Sequence, residues 1–155
     1  MHHAGADRLG RDGGMTTPAK FTADVRNWTE KARRNAELVV RGSIADVGEL
    51  MTRRQASVKD TGGSFREGFV PVDTGELISS QEVAINGGVV GQGVVSYEAV
   101  VGGMDLGDTV QAVFTAPHAR FMEYGTGNIA GRFFVRNAVQ QWQTIVDANA
   151  AQFRD

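Results

Sequence analysis

Pro117–Gly127 reads PHARFMEYGTG, and the assignment of this stretch decides how the chain is read on either side of it. Pro117 presets the backbone for a first helical turn. Gly125 or Gly127 can end that turn with a positive φ, which costs glycine least. Upstream of it the apolar residues alternate with a period of two; downstream they recur at three- and four-residue steps. The stretch therefore predicts a short helix that carries the chain from the last strand of a sheet into a last helix.

Downstream, residues 132–152 predict that last helix. Phe134, Ala138, Trp142, Ile145, Asn149 and Phe153 form one stripe, broken only by Asn149 and supported by Val135, Val139 and Val146. Phe133 lies off the stripe, so an exposed aromatic there is an interface candidate. Arg132 and Arg136 fall in the expected first turn, where the helix macrodipole disfavours cations. A carboxylate should compensate, and Glu123, across the Gly125–Gly131 loop, is the nearest in sequence.

Upstream, Glu82–Ile85, Val94–Val101 and Thr109–Thr115 predict three strands, with Val89-Val90 as a further short one. Asn86-Gly87 is the strongest hairpin signal in the chain. Val94–Val101 is apolar at nearly every position, which predicts a central or doubly covered strand. Asp73-Thr74-Gly75-Glu76-Leu77 predicts a short helix start with Asp or Thr as cap. Residues 56–72, with Gly62-Gly63, read as a loop, either functional or simple slack. Residues 18–55 predict one long helix, capped by Thr17 with Pro18 in its first turn. Its stripe of Phe21, Val25, Trp28, Ala32, Ala36, Val39, Val47 and Leu50 has one gap, at Ser43, and Arg33, Arg34 and Arg41 lie on the opposite face. Unbroken, such a helix would span roughly 55 Å. It should either kink at Gly42 or Gly48 or run on to pack against another subunit. Residues 1–16 predict a disordered Gly-rich arm, with Met15 an alternative start of the ordered protein. The expected fold is α+β, a single domain over 17–155: long N-terminal helix, antiparallel sheet of three to four strands, and a C-terminal helix packed on the sheet.

Composition narrows the function classes. Hydrophobic residues make up 41% and charged residues 22% of the 155, the profile of a globular domain. No apolar run is long enough to span a membrane, and no signal core opens the chain. With no cysteine there can be no disulfide, thiolate metal site or cysteine nucleophile. The net charge of −2 argues against a dedicated nucleic-acid binder, but it is unevenly placed: residues 1–59 balance to +4 and residues 60–155 to −6. That split fits a solvated basic helix beside an acidic body, or a subunit whose basic element meets the acidic body of a neighbour.

Chemistry-bearing patterns are sparse. Gly87, Gly88, Gly91 and Gly93 lie between strands at spacings that match no phosphate loop. His118 is the one histidine beyond the N-terminal arm, without a second histidine or a cysteine to complete a metal set. No metal, cofactor or catalytic residue is expected.

Three segments taken in order carry a resemblance: Val72-Asp73-Thr74-Gly75-Glu76-Leu77, then Ala116–Thr126 (APHARFMEYGT), then Arg132–Ala138 (RFFVRNA). Together they resemble the neck and tail-completion (head–tail joining) family of long-tailed double-stranded DNA bacteriophages, over about Pro71 to Val139. Phe133 and Asn137 stand where that family usually has prolines, and Pro117-His118 replaces its common Tyr-Ala. The resemblance implies a small α+β subunit of a homo-oligomeric ring, without catalysis, at the neck of the virion and in the host cytoplasm during assembly. Its partners would be other neck, portal-adaptor and tail proteins; DNA would pass through the ring without sequence-specific binding. The structural motif within it is Asp73, Thr74, Gly75, Glu123, Gly125, Arg132 and Arg136; the candidate interface, read from the charge split and the off-stripe aromatic, is Arg33, Arg34, Arg41 and Phe133. A tail terminator or minor tail ring protein is the neighbouring alternative. Alternatives of another class are a metal-dependent enzyme using His118, Glu123 and Asp73, or a DNA-binding module using Arg33, Arg34, Arg41, Arg53 and Arg54.

Overall fold

The computed structural model describes residues 17–56, 66–72 and 75–154. The expected arm at 1–16, most of the expected loop, and Asp73 and Thr74 lie outside the described residues. In chain order the elements are α1 (Pro18–Met51), β1 (Arg54–Ala56), β2 (Val70–Val72), a 3-10 turn (Ile78–Ser80), β3 (Gln81–Ile85), β4 (Gly88–Gly93), α2 (Tyr97–Val101), β5 (Val110–Phe114), α3 (Ala119–Tyr124), α4 (Phe134–Gln140) and α5 (Trp142–Ala151). The class is α+β, with a long N-terminal helix, a three-stranded antiparallel sheet and C-terminal helices, as the patterning predicts. The chain divides into two compact units after Asn35, inside α1.

In the first unit, α1 opens as its cap residues dictate: Thr17 Oγ1 accepts the Lys20 N–H at 3.1 Å. The stripe read from the sequence is exposed here. Phe21 is 62%, Val25 46% and Trp28 71% accessible.

In the second unit, α1 remains helical through Gly42 and Gly48 to Met51. Close packing explains both glycines. A Cβ on Gly48 would stand 2.2 Å from Tyr97 Cγ, so the tyrosine ring lies flat on the helix backbone. A Cβ on Gly42 would stand 2.9 Å from the Asn149 side-chain oxygen. Asn149 Nδ2 in turn donates to Ser43 Oγ at 3.3 Å and Asp46 Oδ2 at 2.9 Å. The two polar breaks in the apolar stripes, Ser43 and Asn149, thus face each other.

The sheet order is β4-β3-β5, all antiparallel, with β3 central. Asn86 and Gly87 both take positive φ, 51° and 84°, the geometry of a two-residue hairpin turn that follows the strand twist. The predicted strand over 94–101 is a correction. Ser96 Oγ accepts the Ala99 N–H and starts the helix α2 instead. Tyr97 and Val101, four apart, are the buried pair of that helix, at 5% and 4%. An apolar run of this length satisfies either period, and the cap at Ser96 selects the helical one.

Residues 54–56 and 70–72 also depart from expectation: β1 and β2 pair in parallel, with Gln55 opposite Pro71. The long helix accordingly ends at Met51, before the predicted 55. The last helix begins at Phe134, two residues later than predicted, and is broken at Gln141 (φ −89°, ψ 3°).

Two apolar clusters hold the second unit. Ala45, Met51, Val83, Tyr97, Val101, Met104 and Ala138 form the larger, which joins α1, the sheet, α2 and α4. Val70, Leu77, Ile78, Ala116 and Phe134 form the other, with the Phe114 and Phe134 rings edge to face at 5.1 Å.

Candidate functional site

The three sequence segments that carry the family resemblance converge on the second apolar cluster. Leu77 comes from the first, Ala116, Ala119 and Met122 from the second, and Phe134 and Val135 from the third. Gly75 has φ 81°, and its carbonyl accepts the Ser79 N–H at 3.0 Å, which closes the turn that delivers Leu77 and Ile78.

The polar centre of the motif is Glu123, 6% accessible at the end of α3. Its Oε2 accepts the Val135 N–H and its Oε1 the Arg136 N–H, each at 2.9 Å. These are first-turn donors of α4, which no residue of the helix itself can satisfy. α4 has no acidic residue in its own first turn and no side-chain cap from Phe133. Glu123 supplies both from a different segment, placing a negative charge at the positive helix end. The sequence reading correctly pointed Glu123 at this helix start, but its carboxylate meets backbone N–H groups instead of guanidinium groups.

The two arginines have other surroundings. Arg132 stands one residue before the cap Phe133, outside the first turn of α4. Its Nη1 donates to Gln55 Oε1 at 2.8 Å, and its carbonyl accepts the Gly68 N–H at 2.6 Å. Arg132 thereby ties the motif to β1 and to the turn that leads into β2, and partial burial lowers its guanidinium pKa below the ordinary value. Arg136 is exposed, with its guanidinium 5.4 Å from the Phe133 ring centroid.

Between them, the loop from Gly125 to Gly131 folds back on itself. The Arg132 and Phe133 N–H groups bond the carbonyls of Met122 and Glu123 at 2.8 and 3.0 Å. This brings backbone so close that a Cβ on Gly125 would stand 2.6 Å from Gly131 N, and one on Gly131 2.7 Å from Tyr124 C. Gly125 also has φ 82°. Phe133 is half-buried in the left-handed region at φ 50°, an angle proline's ring cannot adopt. The proline usual in the resembled family therefore does not fit position 133 of this backbone.

The other interface candidates separate. Arg33 and Arg34 are exposed in the first unit. Arg41 is turned inward: its Nε donates to the Met104 carbonyl at 2.9 Å, its Nη2 reaches the same oxygen, and it pairs with Glu37. It anchors the segment after α2 and is not an open docking group. Arg53, named in the DNA-binding alternative, stacks with Arg66 on the Phe69 ring, their guanidinium carbons 4.6 and 4.1 Å from its centroid.

For the metal-dependent alternative, Asp73 lies outside the described residues and both Glu123 oxygens are engaged by backbone. No group of three or more His, Asp or Glu that could hold a metal occurs among the described residues.

Sequence reading missed an open apolar cleft in the second unit, of about 380 Å³. Val47 and Gly48 of α1, Tyr97, Ala112 of β5, Val139 and Trp142 line it. Val139 is 54% and Trp142 40% accessible. These residues come from four separated segments, so no local pattern could have revealed it.

No protein-family model, curated protein or solved structure matches the chain. The functional reading therefore rests on the residues themselves.

Proposed function

We propose that the chain is a structural subunit of a bacteriophage neck, assembling as a ring that joins head to tail. The observation that carries this is the exposed aromatic and aliphatic stripe of α1. Phe21, Val25 and Trp28 repeat at the spacing of one helix face, each at least 46% accessible. A two-turn apolar stripe left in water marks a surface meant for another macromolecule. Convergence of the three resembling segments on one cluster, organised by Glu123, supports the family likeness as a property of the fold. Both outer strands of the small sheet, β4 and β5, are edges, which ring assembly can cover.

The test is genetic and structural. Removing this chain from the phage genome that encodes it should leave DNA-filled heads and complete tails that do not join. Adding the purified protein to such an extract should restore infectious particles. Normal joining in its absence, or a defect confined to head filling or tail length, would count against the reading.

A further inference from the structure

The exposed stripe of α1 and the apolar cleft have matching chemistry. Phe21, Val25 and Trp28 stand at i, i+4 and i+7, the spacing with which a helix lies in a groove. The cleft offers an apolar floor and a volume in the range that buries a drug-sized group, enough for the Trp28 ring and a neighbour. Charge divides along the same line. Residues 18–35 carry five Lys or Arg against two Asp or Glu, a balance of +3, whereas residues 36–155 carry nine against fourteen, a balance of −5. Glu98, which follows the cleft-lining Tyr97, is exposed, and Asp46 and Glu49 line a neighbouring groove with Leu50, Arg53 and Ile145.

From this we infer that the cleft of one copy receives the Phe21–Trp28 face of α1 from a second copy. Trp28 fills the apolar floor. Lys20 and Lys31, which flank that face, meet acidic surface. The contact joins two different patches and is therefore heterologous, the type that closes into rings when the rotation permits. It deepens the ring-subunit reading above, on which it rests, by naming the surfaces that meet. A cationic helix with exposed Trp and Phe could instead lie on an anionic bilayer. An apolar cleft in a unit of opposite net charge on the same chain favours the second copy.

The absence of cysteine makes the test clean. Full-length Ala32→Cys and Val139→Cys proteins, both keeping Trp28, are prepared separately, mixed, and treated with a short bismaleimide at low ionic strength. Ala32 lies one turn beyond Trp28 on the same stripe, and both positions are exposed, so neither change opens a core. The mixture should give a cross-linked dimer containing one of each chain, and neither protein alone should. Higher salt should reduce the yield, and Trp28→Ala in the otherwise unaltered chain should weaken self-association about tenfold or more. A dimer formed by Ala32→Cys alone would overturn the inference, because the stripe would then pair with itself. Absence of the mixed dimer would overturn it too, as would Trp28-dependent flotation with phosphatidylserine vesicles in place of self-association. Head–tail joining by the unaltered protein is scored separately. A failed cross-link with restored joining removes this contact and leaves the neck reading, whereas a mixed dimer without joining activity does the reverse.

Discussion

Asn149 of α5 donates through Nδ2 to Oγ of Ser43, a residue of α1 with no accessible surface, at 3.3 Å. Ser43 Oγ in turn donates to the Val39 carbonyl at 2.7 Å. The same amide reaches Asp46 Oδ2 and the Ile145 carbonyl at 2.9 and 3.0 Å. One polar contact therefore sets the register of the last helix against the first, where two apolar stripes would otherwise be free to slide.

Replacing Asn149 with Leu should lower unfolding free energy by about 1–3 kcal/mol, because Ser43 and Asp46 lose a donor and the side chain crowds Gly42. Ser43→Ala alone should cost about 0.5–1.5 kcal/mol. The double variant should cost less than the two together by about 0.5 kcal/mol or more, as residues sharing a bond do. Urea unfolding of the four proteins measures this, and strict additivity would contradict the coupling.

Gly48→Ala sets two effects against each other. Alanine gains about 1 kcal/mol of helix propensity. Its methyl would meet three Tyr97 ring carbons at 2.2 to 2.6 Å, and overpacking of that kind costs about 1–3 kcal/mol. The ring is held by its hydroxyl on Gln81 Oε1 at 2.9 Å and cannot swing away without leaving that oxygen. Gly48→Ala should therefore lower the melting temperature, and more than Gly42→Ala, whose neighbour is the movable end of Asn149. A rise in melting temperature for Gly48→Ala would refute the contact.

Burial pushes the Tyr97 phenol up to about 12 from the ordinary 10.0. Folded protein thus holds this proton more tightly than the unfolded chain. Its contribution is complete below pH 10, and stability should decline as pH rises from there toward 12. Tyr97→Phe should be less stable at neutral pH by about 1 kcal/mol, from the lost bond to Gln81, yet lack this part of the alkaline decline. Denaturation followed between pH 9 and 12 separates the two. An unchanged alkaline profile in Tyr97→Phe would assign the effect elsewhere.

Glu123 distinguishes a backbone cap from an ion pair. Glu123→Gln keeps one acceptor but turns an amide donor toward an N–H, and it removes the charge at the helix end. A loss of about 2 kcal/mol is expected. Arg136→Ala should change stability by less than about 0.5 kcal/mol, because the carboxylate binds that residue's N–H and not its side chain. Comparable losses in the two variants would point to an ion pair after all.

Much of the layout was legible beforehand. Thr17-Pro18 marked the start of α1, Asn86-Gly87 the hairpin, and the i, i+4 stripes the terminal helices, since caps, turns and periodicity are properties of neighbouring residues. Val94–Val101 was misread because an apolar run satisfies two periods, and only the Ser96 cap with Tyr97 on Gly48 selects one. For Glu123 the sequence pointed to the right helix but to the wrong atoms. Its neighbours in space are donors left over by helix geometry, which carry no letter in a sequence.

The sequence by itself determined most of the element types, the apolar stripe and opposed arginines of α1 and the uneven placement of charge, all of which follow from local order and composition. Tertiary structure alone decided why Gly42 and Gly48 stand in a helix, why Ser43 and Asn149 interrupt their stripes, and that a cleft opens between α1, β5, α4 and α5. Each of these depends on which distant segments approach closest, and that is set by packing of the whole unit.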